Sequence, residues 1–236
     1  MRNRLLLSML LAVPVVASAQ DTAPDDYTLI GAGVRSRPEY DGSNSQTLDL
    51  IPVLRYYGKP WFARTTQGIL EGGARIDVAP GLAIGAQLAY EAGRKASGVP
   101  DLDPGASFGV HLEWDTKLGP APLNLLFRTR KHFDADRGTQ ADLRFTAGIY
   151  GSTRTQAGVF TQATWANTKS MESFYGVHDS GLLFTSLGAL GSHDLSRQWV
   201  LVGSVEARRL ASDPARSPIV ERRSSYYASA GLAYRF

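Results

Sequence analysis

The chain has 236 residues, of which 43% are hydrophobic and 10% aromatic, and it carries a formal net charge of +3 without a single cysteine. The absence of cysteine excludes disulfide bonds and a lipidated cysteine anchor. After residue 19 no apolar run is long enough for a membrane-spanning helix, so a helical membrane protein is also excluded.

Residues 1–19 have the pattern of a cleaved secretory signal peptide. Two arginines supply the positive start, an apolar core follows, and Ala17 and Ala19 provide the small residues before the cleavage site. We therefore predict one mature domain over residues 20–236, exported from the cytoplasm. Without the two arginines its formal charge is +1, and neither this charge nor the export predicts a nucleic-acid partner.

Alternating apolar and polar positions recur along the mature chain at the period of a β-strand. Each run is short and presents one apolar face, which is typical of a transmembrane antiparallel barrel. In chain order, the predicted strands cover residues 27–34, 47–57, 61–66, a segment ending at 78, 82–90, 107–115, 123–129, 143–149, 157–165, 181–191, 198–209 and 225–236.

The strand count depends on how residues 61–78 are divided. A single strand there gives eleven, whereas a break near Gln67 and Gly68 gives twelve, and bacterial single-chain barrels have an even number. We therefore predict an all-β, up-and-down barrel of about twelve strands, with ten as the fallback. The chain ends and the short turns are then periplasmic, and the longer loops, including 167–180, lie outside. Pro52 lacks a ladder N–H, so it predicts a bulge or a local edge in the second strand.

The last predicted strand ends on an aromatic residue. Leu232, Tyr234 and Phe236 share its apolar face, and this ending resembles the signal by which the barrel-insertion machinery recognises its substrates. It predicts a location in the outer membrane of a Gram-negative bacterium, in contact with outer-membrane lipid and lipopolysaccharide. Tyr227 lies on the opposite, lumen-facing side, so its truncation is expected to be mild.

The strand phases also place a set of charged side chains in the lumen. Acidic and basic residues are interleaved around the predicted interior, so that opposite charges meet across strands. Such a pattern has two interpretations: ion pairs that hold a small barrel together and keep it narrow, or a conduit for small polar solutes. The candidate lumen charge network consists of Glu71, Arg75, His111, Glu113, Arg128, Arg130, Asp142 and Arg144.

No catalytic, metal-binding or cofactor-binding motif accompanies this pattern. His178 and Ser180 have the spacing of a histidine and serine in barrel phospholipases, but they lie where a loop enters a strand. Asp101 and Asp103 lack the further oxygen ligands of a calcium loop. We therefore predict a protein that is not an enzyme and that has no cofactor and no metal.

Four segments near the amino terminus form a set: GAGV at 31–34, PEYDGS at 38–43, LIPVLRY at 50–56, and WFARTT at 61–66 followed by Gly68. Together they resemble the opening of the MipA/OmpV family. The resemblance implies an outer-membrane barrel that scaffolds a lytic transglycosylase and a murein synthase, a penicillin-binding protein, at the membrane's inner face. Other family members are linked to adhesion or to solute and antibiotic uptake, so a narrow pore and a surface adhesin are the alternatives.

Overall fold

The computed structural model describes residues 28–91, 93 and 101–236. Within them, twelve antiparallel strands form one closed barrel, in which successive strands pair and β1 pairs with β12. The strands are β1 (Leu29–Pro38), β2 (Gln46–Tyr57), β3 (Trp61–Thr66), β4 (Ile69–Ala79), β5 (Leu82–Glu91), β6 (Gly105–Leu118), β7 (Ala121–His132), β8 (Thr139–Gly151), β9 (Thr155–Ala166), β10 (Gly181–Asp194), β11 (Trp199–Leu210) and β12 (Ser224–Arg235). The predicted signal peptide, 1–19, and the predicted strand start at Tyr27 lie outside the described residues.

The barrel closes between its first and last strands. Paired Cα positions run from Leu29 opposite Arg235 to Ser36 opposite Ala228. This closure satisfies backbone hydrogen bonds that would otherwise face the hydrocarbon of the bilayer. The predicted twelve strands are confirmed, and the fallback of ten is wrong.

β3 is the shortest strand, and a tight turn follows it. Positive φ angles of 52° at Gln67 and 78° at Gly68 form this turn, where the sequence predicted the break. β3 pairs with β2 at only three positions, from Arg55 to Tyr57. Among the described strands, the rest of β2, including Pro52, therefore has ladder partners on β1 alone. The predicted local edge at Pro52 is confirmed.

The outer surface carries the apolar face of the strands. Leu50 is 85% exposed, Leu48 70% and Leu187 65%. Such exposure suits a wall whose outer solvent is lipid, and the alternate residues of the same strands turn into the lumen. The barrel thus has the two-faced strands of a transmembrane protein, as the alternation predicted.

The long loops contain helices that the sequence analysis did not predict. Residues 167–180, predicted as a loop, include the helix α1 (Thr168–Tyr175). Asn167 caps its first turn by accepting a hydrogen bond from Ser170 N at 3.0 Å, and Gly176 ends it with a φ of 67°. No helix in the described part of the chain is long and apolar enough to cross a bilayer. Single-turn 3-10 helices occur in two other long loops, at Ala135–Arg137 and Pro214–Arg216.

Candidate functional site in the barrel lumen

Buried ion pairs occupy the lumen along β4 to β8. Arg128 donates to Glu71 at 2.7 Å and to Asp142 at 2.8 Å. Arg130 also binds Asp142, at 3.1 Å, and reaches Glu91 on β5 at 2.6 Å. We call these five residues the upper network, because they lie toward the long loops. Two guanidinium groups share one carboxylate here, so protein charges rather than water compensate the cost of burial.

A second group, the lower network, lies toward the short turns. Arg64 on β3 donates to Glu71 at 2.6 Å and to Glu113 at 3.1 Å, and Arg75 approaches Glu113 at 3.6 Å. His111 is buried beside them, with its Nδ1 2.6 Å from a glutamine amide oxygen. Glu71 belongs to both groups, so one connected set of charges extends from β3 to β8.

Seven of the eight predicted lumen residues lie in these two networks, and Arg144 lies apart from them. The register explains why: Asp142 is opposite Arg128, whereas Arg144 is opposite Leu126. The guanidinium carbon of Arg144 instead lies 3.9 Å from the ring centre of Phe160. Among the described residues, no hydrogen bond or ion pair of Arg144 is found.

The first long loop folds into the barrel mouth. Asp41 accepts a hydrogen bond from Arg208 at 2.8 Å and another from the hydroxyl of Tyr227. Gly42 N donates to Ser225 Oγ at 3.2 Å. These residues lie in the PEYDGS segment, which therefore helps to close the mouth. Tyr227 has an acid partner and cation–π contacts with two arginines, so its truncation is no longer expected to be mild.

The helix α1 also covers this end of the barrel. Met171 is fully buried, and Tyr175 nearly so, in an apolar cluster with Leu183, Phe184 and Leu210. Burial of this amphipathic face holds an eight-residue helix that would be marginal on its own.

Burial changes along the lumen axis. Near the long loops the inward side chains of Ser107, Thr164 and Ser225 are at most 1% exposed. Near the short turns Asp115 is exposed and Thr146 is half-buried. At the short-turn end Leu29, Val200 and Ala233 are also buried, in an apolar cluster with Val53 and Val202. Among the described residues, the long-loop end is therefore closed, and the more exposed inward positions at the short-turn end lie on β6 and β8.

A cavity of about 350 Å³ lies in the lumen between β1 to β3 on one side and β7 to β12 on the other. The turn after β3 reaches into it, and Gln67 Nε2 donates to Glu206 on β11 at 3.0 Å. Gly68 has a φ of 78°, a conformation that side chains rarely adopt, so this turn position favours glycine, and the Arg35 guanidinium lies against it. The cavity is thus built partly from the amino-terminal segments that the sequence analysis singled out.

The analysis of strand phase missed Arg35, Arg64, Asp41 and Gln67. Arg35 follows the inward phase of β1 and could have been found from it. Asp41 and Gln67 lie in a loop and a turn, where strand alternation assigns no direction.

The three predicted assembly residues lie at the short-turn end of β12. Leu232 faces outward and is 42% exposed. The rings of Tyr234 and Phe236 are 5.0 Å apart, and Tyr234 also contacts Trp199 at 5.4 Å, both edge to face. Aromatic residues grouped at one level of a barrel are typical of the membrane interface.

The two enzyme and metal candidates lie in loops. His178 is exposed, and its Nδ1 lies 3.4 Å from a carboxylate oxygen of Glu172. Asp179 caps the backbone N–H of Ser180 at 3.0 Å. Over the described residues, no group of three or more histidine or carboxylate side chains is arranged to hold a metal ion.

Comparisons with known proteins agree with this architecture. The sequence model of the MltA-interacting protein family, MipA, matches residues 30–236. A search of curated proteins found no match. An outer membrane channel from Pseudomonas putida F1 is similar in structure, with a TM-score of 0.57 and 10% identity over 91% of this chain and 97% of that chain. The NanC porin has a TM-score of 0.52 and 12% identity over 89% of this chain and 100% of that chain. At these identities the likeness shows the barrel fold alone.

Proposed function

This chain is an outer-membrane β-barrel that belongs to the MltA-interacting protein family, MipA, and from that premise we propose that it is a non-enzymatic scaffold for murein-remodelling enzymes. The partners proposed are a lytic transglycosylase and a penicillin-binding protein. The barrel anchors them at the periplasmic face of the outer membrane, after export through the predicted signal peptide and insertion by the barrel machinery.

The observation that carries this proposal is the closure of the lumen at its long-loop end. A solute channel needs a continuous path, but the upper network, the first long loop and α1 bury the inward side chains at the long-loop end. The short-turn end is the periplasmic one when the even-strand rule is applied. The exposed short turns therefore face the compartment that contains peptidoglycan.

The proposed contact surface is the set of periplasmic turns. The turns after β8 and β10 are neighbours, because Asp194 N donates to the Arg154 carbonyl at 2.8 Å. Arg154 and Arg197 are exposed on these two turns. Arg216 is also exposed, but it lies in a long loop at the opposite end of the barrel.

Affinity capture of the tagged barrel from solubilised membranes tests the proposal. We expect to recover a lytic transglycosylase together with a penicillin-binding protein. Charge reversal of both turn arginines, Arg154→Glu with Arg197→Glu, is expected to reduce this recovery, whereas Arg216→Glu is expected to leave it unchanged. Failure to recover either enzyme with the unaltered, folded barrel contradicts the scaffold role.

Planar-bilayer recording tests the main alternative, a narrow pore. We expect no stepwise conductance from protein whose folding is verified by heat-modifiable gel migration. Reproducible channel openings would show a continuous path through the lumen, and the pore would then replace the scaffold as the preferred function.

A further inference from the structure

The lumen cavity contains arginine side chains that lack an acidic partner. Arg35 and Arg144 both line it, and neither forms an ion pair with any described residue. Arg35 lies 5.0 Å from the ring centre of Tyr227, and Arg144 lies against Phe160. Arg144 is only 9% exposed. Its charge is therefore largely removed from water without a carboxylate in direct contact, and Glu206, an acidic side chain that acts on it across the cavity, is shared with Arg35 and Arg208.

The carboxylates that also line the cavity are already engaged. Glu113 binds Arg64 at 3.1 Å and Arg75 at 3.6 Å. Glu206 binds Arg208 at 3.1 Å and accepts a hydrogen bond from the Gln67 amide. The cavity wall thus has an excess of cationic hydrogen-bond donors. Arg64 adds to this excess, because its Nη2 is buried and has no hydrogen-bond partner.

A buried guanidinium without an ion-pair partner destabilises the folded barrel, because no contacting carboxylate offsets the desolvation of its charge. The arginines of the upper and lower networks have acidic partners on other strands. An anionic ligand would supply the missing charge, and the planar guanidinium matches a carboxylate with two parallel hydrogen bonds.

The rest of the wall is mostly apolar. Val53, Leu126, Phe160, Leu190 and Val202 line the cavity between the arginines. A volume of 350 Å³ is at the low end for small-molecule sites and holds about a dozen non-hydrogen atoms. Its lining reaches toward the short turns at Asn124 and Thr146, so access is expected from the periplasmic side.

We propose that this cavity binds a small organic carboxylate with an apolar body, held by Arg144 and Arg35. The carboxylate replaces the counter-ion that the strands do not provide, and the apolar part packs on the aliphatic wall and Phe160. The barrel is then a periplasmic receptor for such a ligand as well as an anchor. This proposal rests on the cavity and is independent of the scaffold role.

The test uses the full-length barrel purified in a non-ionic detergent, with 4-phenylbutyrate as the probe. Binding is measured by isothermal titration calorimetry. The uncharged amide of the same acid isolates the contribution of the charge, and inorganic phosphate tests whether an anion alone is sufficient. We expect binding of the carboxylate, and affinities at least about tenfold weaker for the amide and for phosphate.

Arg144→Gln and Arg35→Gln are the site variants, and Arg216→Gln, at the opposite end of the barrel, is the matched control. We expect each site variant to weaken probe binding by about tenfold or more. Without ligand, Arg144→Gln is expected to unfold at the same temperature as the native barrel or higher, because it removes a buried charge that has no ion-pair partner. A purely structural role for Arg144 predicts a lower unfolding temperature.

Any one of three results would overturn the proposal. The first is that the native barrel does not bind the carboxylate at millimolar concentration. The second is that the amide binds as tightly as the acid, and the third is that Arg144→Gln retains full affinity. Tight binding of phosphate with no binding of phenylbutyrate would assign the site to an inorganic anion and contradict the apolar part of the argument.

Discussion

Asp142 provides the sharpest test of how the lumen is stabilised. Its carboxylate accepts hydrogen bonds from Arg128 at 2.8 Å, from Arg130 at 3.1 Å and from Thr164 at 2.8 Å. Asparagine at this position has almost the same shape but no charge. Asp142→Asn therefore changes the electrostatics of the upper network with little change in packing.

The expected loss follows from the charge balance of the two networks. Four arginines are matched by four carboxylates: Arg64, Arg75, Arg128 and Arg130 against Glu71, Glu91, Glu113 and Asp142. Asp142→Asn leaves one buried positive charge without a partner, which costs about 3–5 kcal/mol of the free energy of unfolding. Adding Arg130→Gln restores neutrality, so the double variant is expected to lose less than the sum of the two single losses.

Urea unfolding in phospholipid vesicles, followed by tryptophan fluorescence and by heat-modifiable migration, measures these differences. The control is Asp77→Asn, because Asp77 forms an exposed ion pair with Lys59 at 3.0 Å. Such a surface pair is worth about 1 kcal/mol or less. If Asp142→Asn costs no more than this control, the charge balance does not stabilise the lumen.

Two further predictions concern assembly and the closed end. Deletion of Phe236 removes the outermost ring of the aromatic cluster, so we expect the protein to accumulate in the periplasm and be degraded, as shown by membrane fractionation. Tyr226→Ala, on the same strand and lipid-facing, is the control, and normal outer-membrane levels of the deletion variant would contradict the assembly signal. Asn167→Ala removes the α1 cap at a cost of about 1 kcal/mol, so hydrogen exchange across α1 is expected to accelerate while exchange in β9 stays unchanged. If exchange across α1 is the same in the variant as in the native protein, packing of Met171 holds the helix without the cap.

The strands of the barrel wall were predictable because the alternation of apolar and polar residues is visible within each short segment of sequence. The alternation in β12 assigns each residue to one face, and the parity rule then turns an ambiguous stretch into two strands divided at Gln67. The local edge at Pro52 was also predictable, because a residue without a backbone N–H predicts a missing ladder partner.

The contacts inside the lumen depend on distances that the sequence does not contain. Strand phase placed Glu71 and Arg128 in the interior, but their 2.7 Å contact joins β4 to β7 across two intervening strands. The barrel's curvature brings them together, and curvature is a property of the whole closed sheet. The lack of an ion pair at Arg144 was also not predictable, because it depends on the strand register, which places Asp142 opposite Arg128 and Leu126 opposite Arg144.

The helix α1 and the inward fold of the first loop were missed for a different reason. The caps at Asn167 and Gly176 are visible in the sequence, but eight residues are too few for periodicity to stand out from loop composition. Asp41 lies in a polar loop segment, and only the structure shows that its partners are Arg208 and Tyr227.

The closed outer end has a consequence for the cell that carries this protein. The outer membrane is a permeability barrier, and each open channel added to it raises the leak of toxic solutes. If the barrel is sealed by Asp41, the upper network and α1 as proposed, it adds a periplasmic surface without adding a leak. Under the proposed scaffold role, the number of copies in a cell could then follow the demand for the proposed partners, without the limit that leakage sets on the number of open channels.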